Sequence, residues 1–221
     1  MKLALFDLDN TLLPIDSDHG WSQFLINIGV LKRDEFEARN NDFYEQYKAG
    51  VLDIYEFLSF QLQPLKSNSR QQLDQWHAQF MEQVIKPQIK PSALNLVWTH
   101  QAAGDVCMVI TATNRFITEP IVKAFGITEL IATELEIRNG EFTGEVKGEP
   151  SFREGKVKRI DQWLADREQT WDTYEQITFY SDSINDLPLL ERATHPVAAN
   201  PDDTLRNIAL ERGWQVLELF K

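Results

Sequence analysis

Short apolar runs recur along this chain, each separated from the next by a helical pattern. That alternation commits a sequence to a parallel sheet with helices on both faces. KLALFDL (2–8), DVCMVIT (105–111), QITFYSD (176–182), HPVAAN (195–200) and WQVLELF (214–220) read as strands. The first is short, nearly all apolar and rich in Leu and Phe, the signature of a strand covered on both faces. Helical patterns occupy 92–103, 116–125 (closed by Gly126), 154–167, 186–192 and 202–212. Asn139-Gly140 within ELIATELEIRNGEFTGE predicts a type I′ hairpin between two short strands.

One stretch breaks the rhythm. Between about Ser17 and Ile85 the strand signals vanish, and helical segments at 17–29, 33–49, 53–63 and 68–85 take their place. Gly29 and Gly50 stop the first two, and Asp53-x-x-Glu56 reads as a capping box opening the third. Pro64, Ser67 and Ser69 separate the third from the fourth, where Leu73, Trp76, Phe80 and Val84 form an apolar stripe. The expectation is a small helical bundle inserted into an α/β protein.

Composition narrows the function. The chain has 221 residues with 34 acidic and 22 basic side chains, a formal charge of −12. A field of that sign repels nucleic acid and anionic membranes, so neither is expected as a partner. Any anionic substrate needs local positive charge, from a metal ion or chosen Lys or Arg residues. No signal peptide and no membrane-length apolar run is visible, and the single Cys107 lies in an apolar strand. A cytoplasmic protein is expected.

In open parallel sheets, ligands bind at the carboxyl ends of the strands. Those ends carry Asp7-Leu8-Asp9-Asn10-Thr11, Thr111–Thr113 and Ser181–Asp186, and Lys156 opens a helix nearby. Taken singly, Asp186 reads as a helix cap, Thr111 as a turn residue and Lys156 as a solvated cation. Taken together, Asp7, Asp9, Asp182 and Asp186 crowd one crevice. Carboxylates that close raise one another's pKa and cost stability unless a cation intervenes. Mg²⁺ suits such a site, because it takes oxygen ligands, keeps waters and binds phosphate. Lys156 and a hydroxyl would serve a phosphoryl group, and the helix starting near Arg115 offers backbone N–H groups.

These segments resemble the four motifs of the haloacid dehalogenase superfamily: Asp7-Leu8-Asp9-Asn10-Thr11, Thr111 after VI, Lys156 in GKVKRI, and Asp182-Ser-Ile-Asn185-Asp186. The helical stretch resembles the cap of subfamily I, and NGEFTGEVKG before a GK helix is similar to its phosphoserine phosphatase-like branch, IB. The resemblance implies a Rossmann-like, doubly wound core (1–14 and 89–221) and an all-helical cap (15–88). It implies that Asp7 is the nucleophile and Asp9 the acid and base. Mg²⁺ would be held by Asp7, the Asp9 carbonyl and Asp182, with support from Asp186. Thr111, the Ala112 N–H, Lys156 and Asn185 would bind phosphate oxygens. An Asp at position 9 favours phosphomonoester hydrolysis, since a leaving alkoxide needs a proton. The fourth motif departs from the family's usual Gly-Asp, reading Ser181-Asp182.

The cap positions bear on substrate. The amine-contacting Glu of the phosphoserine phosphatases that this chain resembles is matched here by Asp16, with Asp18 close by; Asp16 or Ser17 equally suits an N-cap. The carboxylate-binding Arg of those phosphoserine phosphatases is matched by Ser59, with no basic residue near it in the sequence. The expectation is therefore a small amine-bearing phosphomonoester without a carboxylate, such as histidinol phosphate, an activity assigned to some relatives in IB. His19 reads as a surface residue, and Phe24, Phe43, Tyr47 and Phe57 as cap core. His77, His100 and His195 share no ligand spacing. The alternatives are a phosphoserine phosphatase, a receiver-like phosphate-binding domain, a catalytically silent relative, or a mutase or transferase using the same intermediate. Oligomeric state is open.

Overall fold

The apolar runs pair as parallel strands because both faces of each must be covered. The computed structural model describes residues 1–49 and 51–221. Its strands are β1 (Lys2–Phe6), β2 (Val106–Asn114), β3 (Glu129–Thr133), β4 (Leu135–Arg138), β5 (Glu141–Val146), β6 (Gln176–Ser181), β7 (His195–Ala199) and β8 (Gln215–Leu217). Six of them form one parallel sheet in the order β3-β2-β1-β6-β7-β8, and β4 and β5 form an antiparallel hairpin. At its tip Asn139 has φ 54° and Gly140 φ 85°, the two positive angles a type I′ turn requires.

Register shows why β1 is apolar throughout. Leu3 lies between Val106 and Ile177, and Phe6 between Val109 and Tyr180. Leu3 and Leu5 pack on one face with Ile160, Leu164 and Phe179, whereas Ala4 and Phe6 pack on the other with Val97, Val109 and Tyr180. From β1 the sheet builds outward through β2 and β3 on one side and through β6, β7 and β8 on the other. The reversal leaves a crevice at the carboxyl end of β1.

The sheet is flanked by α6 (Pro91–Ala102), α7 (Arg115–Ala124), α8 (Glu154–Ala165), α9 (Leu187–Leu190) and α10 (Asp203–Arg212). Between β1 and α6 lie α1 (Ser17–Asn27), α2 (Arg33–Lys48), α3 (Ile54–Gln61), α4 (Gln63–Ser67) and α5 (Arg70–Phe80). Two boundaries differ from the sequence reading. The helix expected over 53–63 ends at Gln61, because Pro64 cannot continue it and instead opens α4. The helix expected over 68–85 leaves α geometry after Phe80, widening into a π turn over Met81–Ile85 before a 3₁₀ turn at Lys86–Gln88. Gly29, at φ 78°, follows the end of α1, and Asp53 caps α3 through the Tyr55 and Glu56 N–H groups. The stop expected at Gly50 lies outside the described residues. Among the described residues no helix is long and apolar enough to cross a membrane.

An aromatic knot binds the helical insert to the sheet layer. Trp21 stands edge-on to Phe80 at 5.3 Å and to Phe116 of α7 at 5.7 Å. Phe24 closes the group, and the same apolar cluster continues through Leu73, Ile117 and Phe142 to Phe6. Phe80 is fully buried at its centre. Phe80→Ala is expected to destabilise the protein by about 3–5 kcal/mol, the cost of lost burial plus an incompletely collapsed cavity; urea unfolding followed by tryptophan fluorescence measures it.

Candidate active site

The chain turns sharply as it leaves β1. Asp7 N–H donates to the Tyr180 carbonyl at 2.9 Å, the last sheet-like bond. The Leu8 carbonyl then accepts from Leu12 N and Leu13 N, both at 2.9 Å, and Asn10 takes a left-handed φ of 56°. Thr11 fastens this loop to the end of β6, its hydroxyl donating to Asp182 Oδ1 and accepting from Asp182 N, each at 3.1 Å. Asn200, after β7, donates to the Asn10 and Thr11 carbonyls. Three strand ends are thereby locked together.

Lys156 stands at the centre. Its Nζ lies 2.7 Å from Asp7 Oδ1 and 2.7 Å from Asp186 Oδ2, and it is almost wholly buried. Gly155 before it is required: a Cβ there would sit 2.2 Å from the Pro150 carbonyl oxygen. Burial opposes the lysine's charge, but Asp186 and Asp7 outweigh it and hold Lys156 above the usual lysine range. Burial pushes Asp7 up to about 6, against the pull of Lys156. Burial, then Asp7 and Asp186, push Asp182 well above the carboxylate range. Asp186 does not cap α9 with its side chain; it accepts from Lys156 and, at 2.7 Å, from Ser181 Oγ. The departure from Gly at position 181 thus supplies an additional hydrogen bond to this carboxylate.

Asp9 has a different setting. Its Oδ1 accepts from Ser17 N at 2.7 Å and its Oδ2 from the Thr113 hydroxyl at 2.8 Å. Burial, with Asp16 and Asp7 nearby, raises it to about 7. A backbone N–H can only donate, whereas a hydroxyl can turn, so a proton on Asp9 resides on Oδ2 with Thr113 accepting. Two carboxylates one residue apart therefore have separate surroundings, the condition for separate acid–base roles. Thr113 and Ser17 were not singled out by sequence as partners of Asp9; folding brings them to it from β2 and α1.

The remaining candidates converge less evenly. Thr111 is buried, and its Oγ1 accepts from Thr113 N at 3.2 Å, leaving its hydrogen free to donate. The β2–β3 register shifts between Ile110 and Asn114, which releases the Thr111–Thr113 backbone from regular pairing beside the crevice. The Ala112 carbonyl accepts from Thr133 Oγ1 at 2.7 Å, fixing that peptide. Asn185 Oδ1 accepts from Arg153 Nε at 2.9 Å. Arg153 itself has φ 51°, a strained conformation of the kind that clusters at functional sites. The N-terminus of α7 serves less well as an anion site than its sequence suggested. The Asn114 side chain already caps Ile117 N, and Arg115 turns away to Glu134 and the Leu130 carbonyl.

Among the described residues no three His, Cys, Asp or Glu side chains form a metal-binding group by themselves. Mg²⁺ does not require one, since one or two carboxylates with carbonyls, waters and phosphate suffice. The donor chemistry fits: Asp7 and Asp186 share one buried cation, Lys156, Asp182 lies near enough to both for each to raise it, and such mutual repulsion is what a divalent ion would relieve.

On the insert side, Asp16 caps α1, accepting from Asp18 N and His19 N at 2.9 Å each. Its carboxylate still lies near enough to raise Asp9 and Asp18, and burial is the larger cause of the shift in Asp18. His19 is exposed and paired with Asn40. Phe24 and Phe43 are core, as expected. Tyr47 departs from the expected cap core, because its hydroxyl reaches across to Ser183 at 2.8 Å. Ser59 is exposed on α3; Arg39, brought near by α2, pairs with Glu56. His77 bonds the Ile117 carbonyl, His100 bridges Asp105 and Tyr180, and His195 pairs with Thr194, all apart from the crevice.

The raised carboxylates predict an unusual pH dependence. Unfolded aspartates ionise near pH 3.8, whereas folded Asp7 and Asp9 keep their protons to about 6 and 7. The native state then binds more protons than the unfolded state, so stability falls as pH rises through that window. In EDTA, the urea midpoint is expected to drop between pH 4 and pH 7.5, and Asp9→Asn to flatten the drop.

A sequence description of haloacid dehalogenase-like hydrolases matches residues 4–191. A protein of Neisseria meningitidis serogroup C named histidinol-phosphatase is 50% identical over 217 residues, covering 98% of each chain. A crystal structure of a protein of unknown function from Bordetella pertussis Tohama I superposes with a TM-score of 0.94 at 49% identity, covering 99% of each chain. A substrate-bound phosphoserine phosphatase shares the fold, with a TM-score of 0.68 at 18% identity over 98% of this chain and 92% of that one. The matched span runs from β1 through the Lys156–Asp186 cluster, and the chain belongs to the haloacid dehalogenase-like hydrolases.

Proposed function

We propose that this hydrolase, a phosphatase of its family, is a Mg²⁺-dependent phosphomonoesterase working through an aspartyl-phosphate on Asp7. Its substrate would be a small amine-bearing metabolite phosphate, with histidinol phosphate foremost. The observation that carries the reading is the pairing of Asp7, ion-paired to buried Lys156, with Asp9, raised to about 7 and held by Thr113 and Ser17. An Asp7 oxygen attacks phosphorus as the bond to the leaving oxygen breaks, and Asp9 gives that oxygen its proton. Asp9, now ionised, takes a proton from the water that cleaves the aspartyl-phosphate and releases orthophosphate. Thr111, the Ala112 N–H, Lys156 and Asn185 bind the phosphoryl oxygens. Asp7, the Asp9 carbonyl and Asp182 would hold Mg²⁺, supported by Asp186; the ion would supply positive charge against the phosphoryl oxygens.

Residues 15–88 would act as the cap over a core of 1–14 and 89–221. Asp16 and Asp18 make the adjoining wall acidic, which suits a cationic substrate. The high identity to the Neisseria protein named histidinol-phosphatase supports the substrate choice. The exposed Ser59, where phosphoserine phosphatases place an arginine, argues against a free carboxylate.

Phosphate release from histidinol phosphate, phosphoserine, phosphoethanolamine and sugar phosphates, with Mg²⁺ or with EDTA, tests this. Turnover should concentrate on histidinol phosphate and vanish in EDTA; a phosphoserine preference would remove the substrate assignment, and metal-independent turnover the mechanism. Asp7→Asn should lower kcat by about a thousandfold or more while the protein still folds, as circular dichroism would show. Asp16→Ala is expected to cost about 1 kcal/mol of stability as a lost cap. If Asp16 also faces the amine, KM should rise for histidinol phosphate and stay level for phenyl phosphate.

A further inference from the structure

The helical insert is fastened to the sheet layer mainly at one side. There His77 of α5 bonds the Ile117 carbonyl, Arg70 N donates to Glu141 of the hairpin at 2.6 Å, and Trp21 packs on Phe116. At the opposite side α2 reaches over the crevice, and Tyr47 lies 6.5 Å from the Phe152 ring with its hydroxyl 2.8 Å from Ser183 Oγ. Ser183 is no ordinary surface serine. It is buried, and its Oγ accepts from Asn185 N at 3.2 Å and from Asn185 Nδ2 at 3.3 Å. Its N–H donates to Ser181 Oγ, which donates to Asp186 Oδ2, the oxygen shared with Lys156. A continuous chain of hydrogen bonds therefore joins the insert to the Lys156–Asp7 pair.

The directions of these bonds can be assigned. Arginine only donates, so the Asn185 atom facing Arg153 is Oδ1, and Nδ2 faces Ser183 beside the Tyr47 hydroxyl. A hydroxyl accepts twice and donates once. With both acceptor positions of Ser183 taken by Asn185, its hydrogen goes to Tyr47 Oη. The Asn185 Nδ2 bond to Ser183 is long and exchanges readily for a bond to a phosphoryl oxygen. When it does, Ser183 regains an acceptor position and Tyr47 can donate to it. The Tyr47–Ser183 bond thus survives in both states by reversing direction, with no change in the number of protons. Burial, then Asp182, keeps the phenol protonated, so that hydrogen is always present.

We propose that Tyr47 is a positioning residue of the reaction, acting from the insert through Ser183 to hold the Asn185 amide as a donor toward the phosphoryl group. The proposal rests on the phosphatase reading above and adds a residue whose bond forms only when α2 lies over the crevice. It makes the phosphate site complete only when the insert is closed.

The test compares wild type, Tyr47→Phe, Ser183→Ala and the double variant, each with Mg²⁺. Tyr47→Phe keeps the ring beside Phe152 and removes only the hydroxyl. Three quantities are measured: kcat and KM on the best substrate, orthophosphate affinity by calorimetry, and melting temperature. Each single variant is expected to lose about five- to tenfold in kcat/KM and a similar factor in orthophosphate affinity. The double variant should be no worse than the weaker single, because both substitutions break one linkage. Tyr47→Phe should keep a melting temperature close to wild type, as a purely structural contact would not allow, whereas Ser183→Ala also loses the bond from Asn185 N and is expected to melt lower. Additive losses, or losses that appear only in melting temperature, overturn the proposal. If wild type hydrolyses none of the phosphomonoesters, the phosphatase reading fails by itself. Orthophosphate affinity then decides alone: non-additive weakening upholds the role of Tyr47, and equal affinity in all four proteins overturns it.

Discussion

The buried ion pair between Lys156 and Asp7 is the constraint around which the molecule is arranged. A lysine with almost no solvent contact is costly unless oxygens surround it, and here two carboxylates each lie 2.7 Å away. Meeting that condition requires the end of β1, the start of α8 and the turn after β6 to meet at one point. The parallel sheet provides the meeting place, because β1 and β6 are neighbours with their carboxyl ends on the same rim. Thr11 and Asn200 stitch the loops that emerge there. Gly155 is needed because α8 starts so close to the Pro150 carbonyl that no side chain fits.

The same crowding that threatens stability raises the carboxylates of the crevice. One cation cannot balance Asp7, Asp182 and Asp186, and the surplus negative charge is what a divalent ion would neutralise under the proposed function. Asp9 escapes the pair: burial, with Asp16 and Asp7 nearby, raises its carboxyl to about 7, and Ser17 and Thr113 fix its orientation, while Asp7 is held against a lysine. Ser17 belongs to the insert and Thr113 to the sheet. The insert therefore sets the surroundings of Asp9 as well as the walls of the crevice.

Much of this was legible in the chain. The apolar runs marked the sheet, the interruption at 17–85 marked the insert, and the carboxylates at strand ends marked the crevice, because period and spacing are local properties. The Asn139-Gly140 turn followed from the need for two positive φ angles. What escaped were relations between distant segments. Tyr47 has the helical spacing of a core residue, and nothing local reveals that its hydroxyl crosses to Ser183. Arg153 looks like one more basic residue before a helix, yet it fixes the amide of Asn185. The N-terminus of α7 looked open to an anion, but Asn114, the last residue of β2, folds back to cap it. Ser181 looked like a departure from a glycine and proved to be a hydrogen-bond donor to Asp186.

By itself the sequence determined which segments could be strands and helices, where the helical insert interrupts them, and which carboxylates, hydroxyls and lysine gather at the strand ends. Each of these depends on the residue and its near neighbours along the chain. Only the tertiary structure decided which carboxylate shares Lys156, which hydroxyl holds Asp9, and which insert residue touches the turn after β6. Those are contacts between groups as far apart as Asp7 and Lys156 or Tyr47 and Ser183, and their distances are set by packing of the whole sheet and insert. Hydrogen-bond geometry is lost within about an ångström of displacement, so no local pattern can specify it.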